Sequence, residues 1–382
     1  MTTLSTLQIG MEWFTEHPGG LNRVYANLVG ELAAQGVATS GLVAGTPAVT
    51  TLSGGLVQSF AEVDAPLVRR LQGVRQAAAP YLRAAGDRLV AAHFALNTIP
   101  LLDGLGTRPL VVHFQGPWGQ ESRLEGDASA AVVLKTWIER MVYARANRVI
   151  VLSSAFADLL HHDFGIARER IHVVPAGTEI DRFADAPLRE ESRAALGWPL
   201  DRPIVLCVRR LVRRVGLDQL IDAAAELREM VPRVLVLVAG QGAMREELAV
   251  RITARGLGHT VRLLGFVPDA QLPLAYRGAD LSVVPSIALE GFGLVTAESL
   301  AAGTPVIVTP VGGLAGVVSP LASELVTPSA SPHDIAVTIG RVLLGELRQP
   351  DAAACAAYAA ANFTWPVMTR RVRDVYELAR DR

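Results

Sequence analysis

Short runs of β-branched and aliphatic residues recur along this chain, each followed by a longer Ala- and Leu-rich stretch with helical spacing. That alternation restricts the fold to parallel βαβ units, because neighbouring parallel strands need a crossover whereas hairpin strands need only a turn. In the first half the strand candidates are Leu4–Ile9, Leu110–His113, Val149–Leu152 and His172–Val174. In the second half they are Ile204–Val208, Val234–Ala239, Val261–Leu264, Leu281–Pro285 and Pro305–Thr309. Two such series in tandem predict two doubly wound parallel sheets of the α/β class. Ligands of such sheets bind at the carboxyl ends of the strands, so two facing sheets would share a cleft.

At 382 residues, half of them hydrophobic, the chain is too long for one ordinary core and can build two. The polar stretch Asp181–Pro203 reads as the linker, and Phe363-Thr364-Trp365-Pro366 reads as the start of a terminal helix with proline in its first turn. Thirty-six basic residues face 37 acidic ones, which excludes a global field for nucleic acid or an anionic bilayer. Cys207 and Cys355 form no CxxC pair, so neither a disulfide framework nor a zinc site is expected and a reducing cytoplasm fits. Met1–Gly20 has no basic segment followed by an apolar run, so no signal peptide is expected. The charge-free stretch Ser299–Ser323 is broken by Pro305, Pro310 and Pro320 and reads as strand and loop rather than a membrane span.

Two glycine-bearing turns carry the chemistry. Gly19 and Gly20 lie between the first strand and a helix with apolar residues at Leu21, Val24, Tyr25, Leu28 and Leu32. Such a helix N-terminus offers bare N–H groups to a phosphate, or is a tight turn that binds nothing. After the strand ending at Pro285, the turn Glu290-Gly291-Phe292-Gly293-Leu294 leads into a helix carrying Glu298. Glycines on either side of Phe292 let backbone approach a ligand, and two carboxylates eight residues apart can address different parts of one elongated molecule. The segment His113-Phe114-Gln115-Gly116-Pro117-Trp118-Gly119-Gln120-Glu121 is a Gly- and Pro-rich loop. In it Trp118 could stack on a sugar, and Gln115 and Glu121 could bind hydroxyls.

The run from Ala288 to Ile307 resembles the Glu-x7-Glu signature of retaining GT-B glycosyltransferases, glycosyltransferase family 4. Val173 to Glu179, Arg209-Arg210-Leu211, Val238 to Gly242, Leu264 to Val267 and Phe363-Thr364-Trp365 agree with it in order and spacing. The resemblance implies an acceptor-binding Rossmann-like domain over 1–183, a donor-binding one over 184–364, and a terminal helix over 365–382 that returns to the first domain. It also implies a nucleotide-sugar donor and a carbohydrate, lipid-linked or small-molecule acceptor. Glu290 would bind hydroxyls of the donor sugar with the amides around Gly291, Phe292, Gly293 and Leu294, and Glu298 the ribose. Gly19 and Gly20 would approach the diphosphate, Gly265 and Val267 would line the base pocket, and His113 would sit near the reacting carbon.

The leaving nucleoside diphosphate gains negative charge, which the site must stabilise in the transition state. No Asp-x-Asp pair occurs in the sequence, so no metal or cofactor is expected and fixed cations and helix dipoles take that role. The family's Arg is matched by Arg210, but its Lys position is Val215, and the one lysine of the chain is Lys135. Arg213 or Arg214 is the expected substitute. The clustered Arg69, Arg70, Arg75, Arg83 and Arg88 are either a solvated face or a peripheral membrane contact. A GT-B-fold nucleotide-sugar epimerase and a non-catalytic sugar-nucleotide-binding protein remain the alternatives. No Gly-x-Gly-x-x-Gly follows the first strand, which argues against a nicotinamide-dependent dehydrogenase.

Overall fold

The structure, a computed structural model, describes residues 4–84, 86 and 88–381. It divides into two compact units, one of residues 1–177 with 365–382 and one of residues 178–364.

The first unit is built on a seven-stranded sheet in the order β3-β2-β1-β4-β5-β6-β7. Its strands are β1 (Ser5–Glu12), β2 (Ala38–Ala44), β3 (Val57–Ala61), β4 (Leu89–Ala92), β5 (Leu110–Phe114), β6 (Arg148–Val151) and β7 (Ile171–Val173). Every neighbouring pair is parallel. Helices α1 (Gly20–Ala34), α2 (Leu67–Arg83), α3 (Trp118–Leu124) and α4 (Ser129–Arg145) belong to this unit, as does the terminal helix Trp365–Arg380. Leu7, Ile9, Val90, Val112 and Val149 from the central strands are buried together with Val142 of α4 and Leu160, which accounts for the apolar runs in the sequence.

The second unit carries a five-stranded parallel sheet in the order β10-β9-β8-β11-β12. Its strands are β8 (Ile204–Val208), β9 (Leu235–Ala239), β10 (Val261–Gly265), β11 (Leu281–Val284) and β12 (Val306–Val308). Helices α5 (Ile180–Ala184), α6 (Arg189–Leu196), α7 (Leu217–Met230) and α8 (Leu294–Ala301) belong here.

The segment expected to be a linker is instead structured. Phe183 of α5 is fully buried and meets Tyr276 edge to face, and Arg193 of α6 is pinned to Asp280 at 2.7 Å and to the Gly278 carbonyl at 2.7 Å. Its charged composition is the outer face of short helices. The division between units falls before Thr178, whose N–H donates to the Phe363 carbonyl inside the second unit.

Candidate active site

In the second unit the strand order reverses between β8 and β11, which are hydrogen-bonded neighbours. The loops leaving the carboxyl ends of these two strands therefore define the ligand position of the sheet. The first begins with Arg209 and Arg210; the second runs from Pro285 to Gly293 and opens α8.

Glu290 is 8% exposed and Glu298 is 6% exposed, so neither is a solvated helix carboxylate. The Glu290 carboxylate pairs with the Arg209 guanidinium and accepts from the Ser286 hydroxyl at 3.0 Å, and Arg209 also donates to Ser286 Oγ at 3.1 Å. Arg209 Nε is buried and has no hydrogen-bond partner. Glu298 accepts from the Tyr276 hydroxyl at 3.0 Å.

A third loop closes on this turn from behind. Gly313 N–H donates to the Glu290 carbonyl at 2.9 Å, and Thr309 Oγ1 donates to the Ser286 carbonyl at 2.6 Å. Gly312 has φ +59°, and a Cβ there would collide with the Glu290 carbonyl oxygen, so glycine is required on both counts. Just before Glu290, Leu289 has φ +48°, the one non-glycine residue with positive φ among the described residues. Arg214 holds it: its Nη1 donates to the Leu289 carbonyl at 3.2 Å, and its own carbonyl accepts from Ile287 N–H at 3.0 Å. Backbone strain kept by surrounding bonds is typical of residues that serve a ligand.

The arginines near this loop differ in what they do. Arg210 is exposed, and its guanidinium makes no hydrogen bond among the described residues. Arg213 is ion-paired with Glu247 at 3.0 Å at the surface, and Val215 is 2% exposed, packed where a lysine would have to be buried. Sequence reasoning missed Arg209. The adjacent Arg-Arg pair gives no sign of which side chain turns toward Glu290.

Phe292 is buried edge to face against Phe363. Gly291 and Gly293 are also buried, and Gly293 immediately precedes Leu294, the first residue of α8. Gly265 ends β10 with φ +76°, next to the exposed Phe266 and half-buried Val267.

In the first unit Gly19 is an exposed N-cap residue of α1, with open space around its Cα. The loop before it is tied down by Asn22, whose Nδ2 donates to the His17 carbonyl at 2.8 Å.

His113 lies near the end of β5. The residue is 4% exposed, its ring is stacked on His93 with centroids 4.1 Å apart, and its Nε2 lies 2.7 Å from the Tyr376 hydroxyl of the terminal helix. Tyr376 donates onward to Gln8 Oε1 at 3.1 Å, so His113 must donate to Tyr376 through Nε2–H. Gln8 Oε1 also takes the Nε2–H of His93 at 2.8 Å. Burial drives the His113 pKa down to about 3, and that of His93 well below the ordinary value. His113 is a neutral histidine whose Nε2 edge is covered by the terminal helix, at a residue 263 positions further along the chain.

Gln115, just past the end of β5, is half-buried, and its side chain makes no hydrogen bond among the described residues. Trp118 is packed: Phe94 meets it edge to face at 5.1 Å and Lys135 Nζ lies over its ring at 5.0 Å, so it is not a bare stacking platform. Glu121 lies one turn into α3 beside Gly116. The grip on this loop comes from Glu139 of α4, a buried carboxylate that accepts from Trp118 N–H at 2.8 Å, Gly119 N–H at 3.1 Å and the Tyr143 hydroxyl at 3.1 Å. Burial raises its pKa against the pull of those donors.

The clustered arginines between residues 69 and 88 also separate, Arg70 donating to the Val63 carbonyl at 3.3 Å. Arg75 is bound to Asp103 at 2.6 Å and Arg88 folds over Tyr81, while Arg69 and Arg83 remain exposed. Among the described residues no helix is long and apolar enough to cross a membrane, and no cluster of three or more His, Cys, Asp or Glu side chains is arranged to hold a metal ion.

Two doubly wound parallel sheets with this loop geometry define the GT-B class of glycosyltransferases, and the comparisons agree. The Anabaena protein HepE, solved with UDP and glucose, superposes with a TM-score of 0.78 over 98% of this chain and 100% of that one at 21% identity. Residues 18–182 match the family model Glycosyltransferase Family 4, and residues 188–361 match Glycosyl transferases group 1. The D-inositol 3-phosphate glycosyltransferase 1 of Catenulispora acidiphila is 32% identical over 339 residues, 83% of this chain and 78% of the relative. The mannosylfructose-phosphate synthase of Agrobacterium fabrum is 30% identical over 63% of this chain and 54% of the relative. The chain belongs to this glycosyltransferase family, the group 1 glycosyl transferases, and is a glycosyl-transferring enzyme.

Proposed function

We propose that the enzyme moves a sugar from a nucleoside-diphosphate sugar to a saccharide, lipid-linked or small-molecule acceptor, with retention at the anomeric carbon and without a metal or cofactor. The observation that carries this reading is the Glu290 carboxylate, buried and oriented by Arg209 and Ser286 at the switch point of the second sheet. A carboxylate fixed in this way accepts hydrogen bonds from sugar hydroxyls, while the amides of Phe292, Gly293 and Leu294 lead into α8 and donate to a developing negative charge. Glu298 binds the ribose, with Tyr276 setting its orientation.

The charge of the departing diphosphate falls to Arg210, the unengaged guanidinium beside β8, and to Arg214. Gly19 and Gly20 approach the same group through α1, a helix long enough for its N-terminus to favour an anion. Gly265 and Val267 read the base through the backbone. On the acceptor side Gln115 and Glu121 bind hydroxyls. The UDP and glucose named for the Anabaena neighbour support a nucleoside-diphosphate donor here. We place the enzyme in the cytoplasm, with α2 touching the inner membrane face through exposed Leu67, Val68 and Arg69.

Thermal shifts with uridine, guanosine, thymidine and adenosine diphosphates, measured with and without EDTA, test the donor site. One diphosphate should raise the melting point in both buffers. NMR of the product formed from the matching sugar donor then gives the anomeric configuration. No shift with any diphosphate, binding that EDTA abolishes, or an inverted product would each remove its part of the reading.

A further inference from the structure

The loop after β10 holds an aromatic side chain that the fold does not use. Gly265, at φ +76°, turns the chain out of the strand, and its carbonyl accepts from Gly240 N–H at 2.7 Å, which ties the turn to the loop after β9. Phe266 follows, and it keeps 64% of its surface in solvent.

Beside it stands a cation in an unfavourable place. Arg245 is the first residue of the helix Arg245–Ala254, where the helix dipole repels positive charge. It is exposed, and its guanidinium makes no hydrogen bond or ion pair among the described residues; Glu247 of the same turn pairs with Arg213 instead. Arg245 Nη1 lies 3.5 Å from the point that a Cβ on Gly265 would occupy, and beyond the adjoining residues no other atom comes within 4 Å of that point. The space over Gly265 is therefore open and walled on one side by guanidinium N–H groups.

Position in the sheet indicates what this space receives. β10 lies two strands from β8, about 10 Å along the carboxyl edge from the switch point where the diphosphate is placed. The opposite side is filled, since the loop after β12 packs on Glu290 through Gly312 and Gly313. A nucleoside diphosphate with its phosphates at the switch point is long enough to bring its base to β10. There an exposed phenyl ring gains by stacking on a flat base. A guanidinium only donates, so it favours a base edge bearing a carbonyl oxygen, as in uracil, thymine or guanine, over one bearing the amino group of adenine or cytosine.

We propose that Phe266 and Arg245 select the base of the donor, Phe266 by stacking and Arg245 by donating to a ring carbonyl oxygen, so that the enzyme takes a keto-base nucleotide. This rests on the donor site proposed above and adds to it the class of base.

Calorimetric titration with two matched pairs, uridine against cytidine diphosphate and inosine against adenosine diphosphate, isolates the carbonyl, because within each pair it replaces an amino group. The keto member of the pair that fits should bind the parent protein about tenfold tighter or more. Arg245→Ala should remove that preference. Phe266→Ala should weaken both members by about tenfold and leave their ratio unchanged. Both side chains are exposed, so neither truncation opens a cavity in the core. A parent without preference for the keto member, a ratio that survives Arg245→Ala, or binding indifferent to Phe266→Ala would overturn the proposal while leaving a working donor site. Binding by none of the four diphosphates would instead remove the donor site, and this selection with it.

Discussion

Arg209 and Glu290 meet in an ion pair in which each side chain keeps only a tenth of its surface exposed, and Ser286 bonds to both. The pair joins the end of β8 to the turn after β11, the two loops at the switch point. Removing one member of a pair this buried leaves the other charge uncompensated, at a cost on the order of 3–5 kcal/mol. Glu290→Ala is therefore expected to abolish transfer and also lower the melting temperature. Glu290→Gln, which keeps the shape, should still lose transfer by about a hundredfold or more while losing less stability. Kinetics beside calorimetry on both variants separate the effects; normal turnover in Glu290→Gln would remove the carboxylate from the mechanism.

The turn before Glu290 gives a prediction of opposite sign. Leu289 is held at φ +48°, where glycine is comfortable and leucine is strained by about 1–2 kcal/mol. Leu289→Gly should leave the melting temperature unchanged or raise it. Gly312→Ala, which meets the Glu290 carbonyl, should lower it by several degrees. Equal losses in the two variants would mean that the strain assigned to Leu289 is absent.

Histidine burial fixes how the first unit responds to acid. His113 titrates near pH 3 in the fold and near 6.5 in an unfolded chain, so below about 6.5 the unfolded state binds the extra proton. Stability is full above that pH and falls as the pH drops toward 3, by about 1.4 kcal/mol for each unit from this one group. His93 is shifted the same way and steepens the loss. Urea unfolding between pH 7.5 and 5 measures the slope, and a flat profile would contradict the buried neutral pair.

Tyr376→Phe deletes the hydroxyl between His113 and Gln8. Leaving buried polar atoms unsatisfied should destabilise the protein by about 1–3 kcal/mol. The donor KM of the folded fraction should not move, because neither Tyr376 nor Gln8 is among the residues placed against the donor. A changed donor KM with unchanged stability would tie this cluster to the donor site.

Glu139→Ala should free the start of α3 and raise the acceptor KM more than the donor KM, as titration of both substrates would reveal. An unaffected acceptor KM would detach this loop from acceptor binding.

The sequence disclosed the central strands because buried parallel strands are unbroken apolar runs. β2, β3 and β4 escaped notice: Ala38–Ala44 contains Ser and Gly, Val57–Ala61 is half polar, and Leu89–Ala92 is short and alanine-rich. In the Gly-Phe-Gly turn the demand for glycine at Gly293 was legible, because its φ of +76° is a local backbone requirement at the start of α8. The bond between His113 and Tyr376 was not, since the two residues lie 263 positions apart in the chain. Nor was Arg209, because neighbouring arginines differ only in where the strand end aims them.

The Tyr376 hydroxyl has a consequence for synthesis. It completes a hydrogen-bonded cluster begun by Gln8, so the first unit's interior closes only when the helix Trp365–Arg380 has emerged. The second unit, continuous in sequence, can therefore finish before its predecessor, and loss of Trp365–Arg380 harms the domain encoded first.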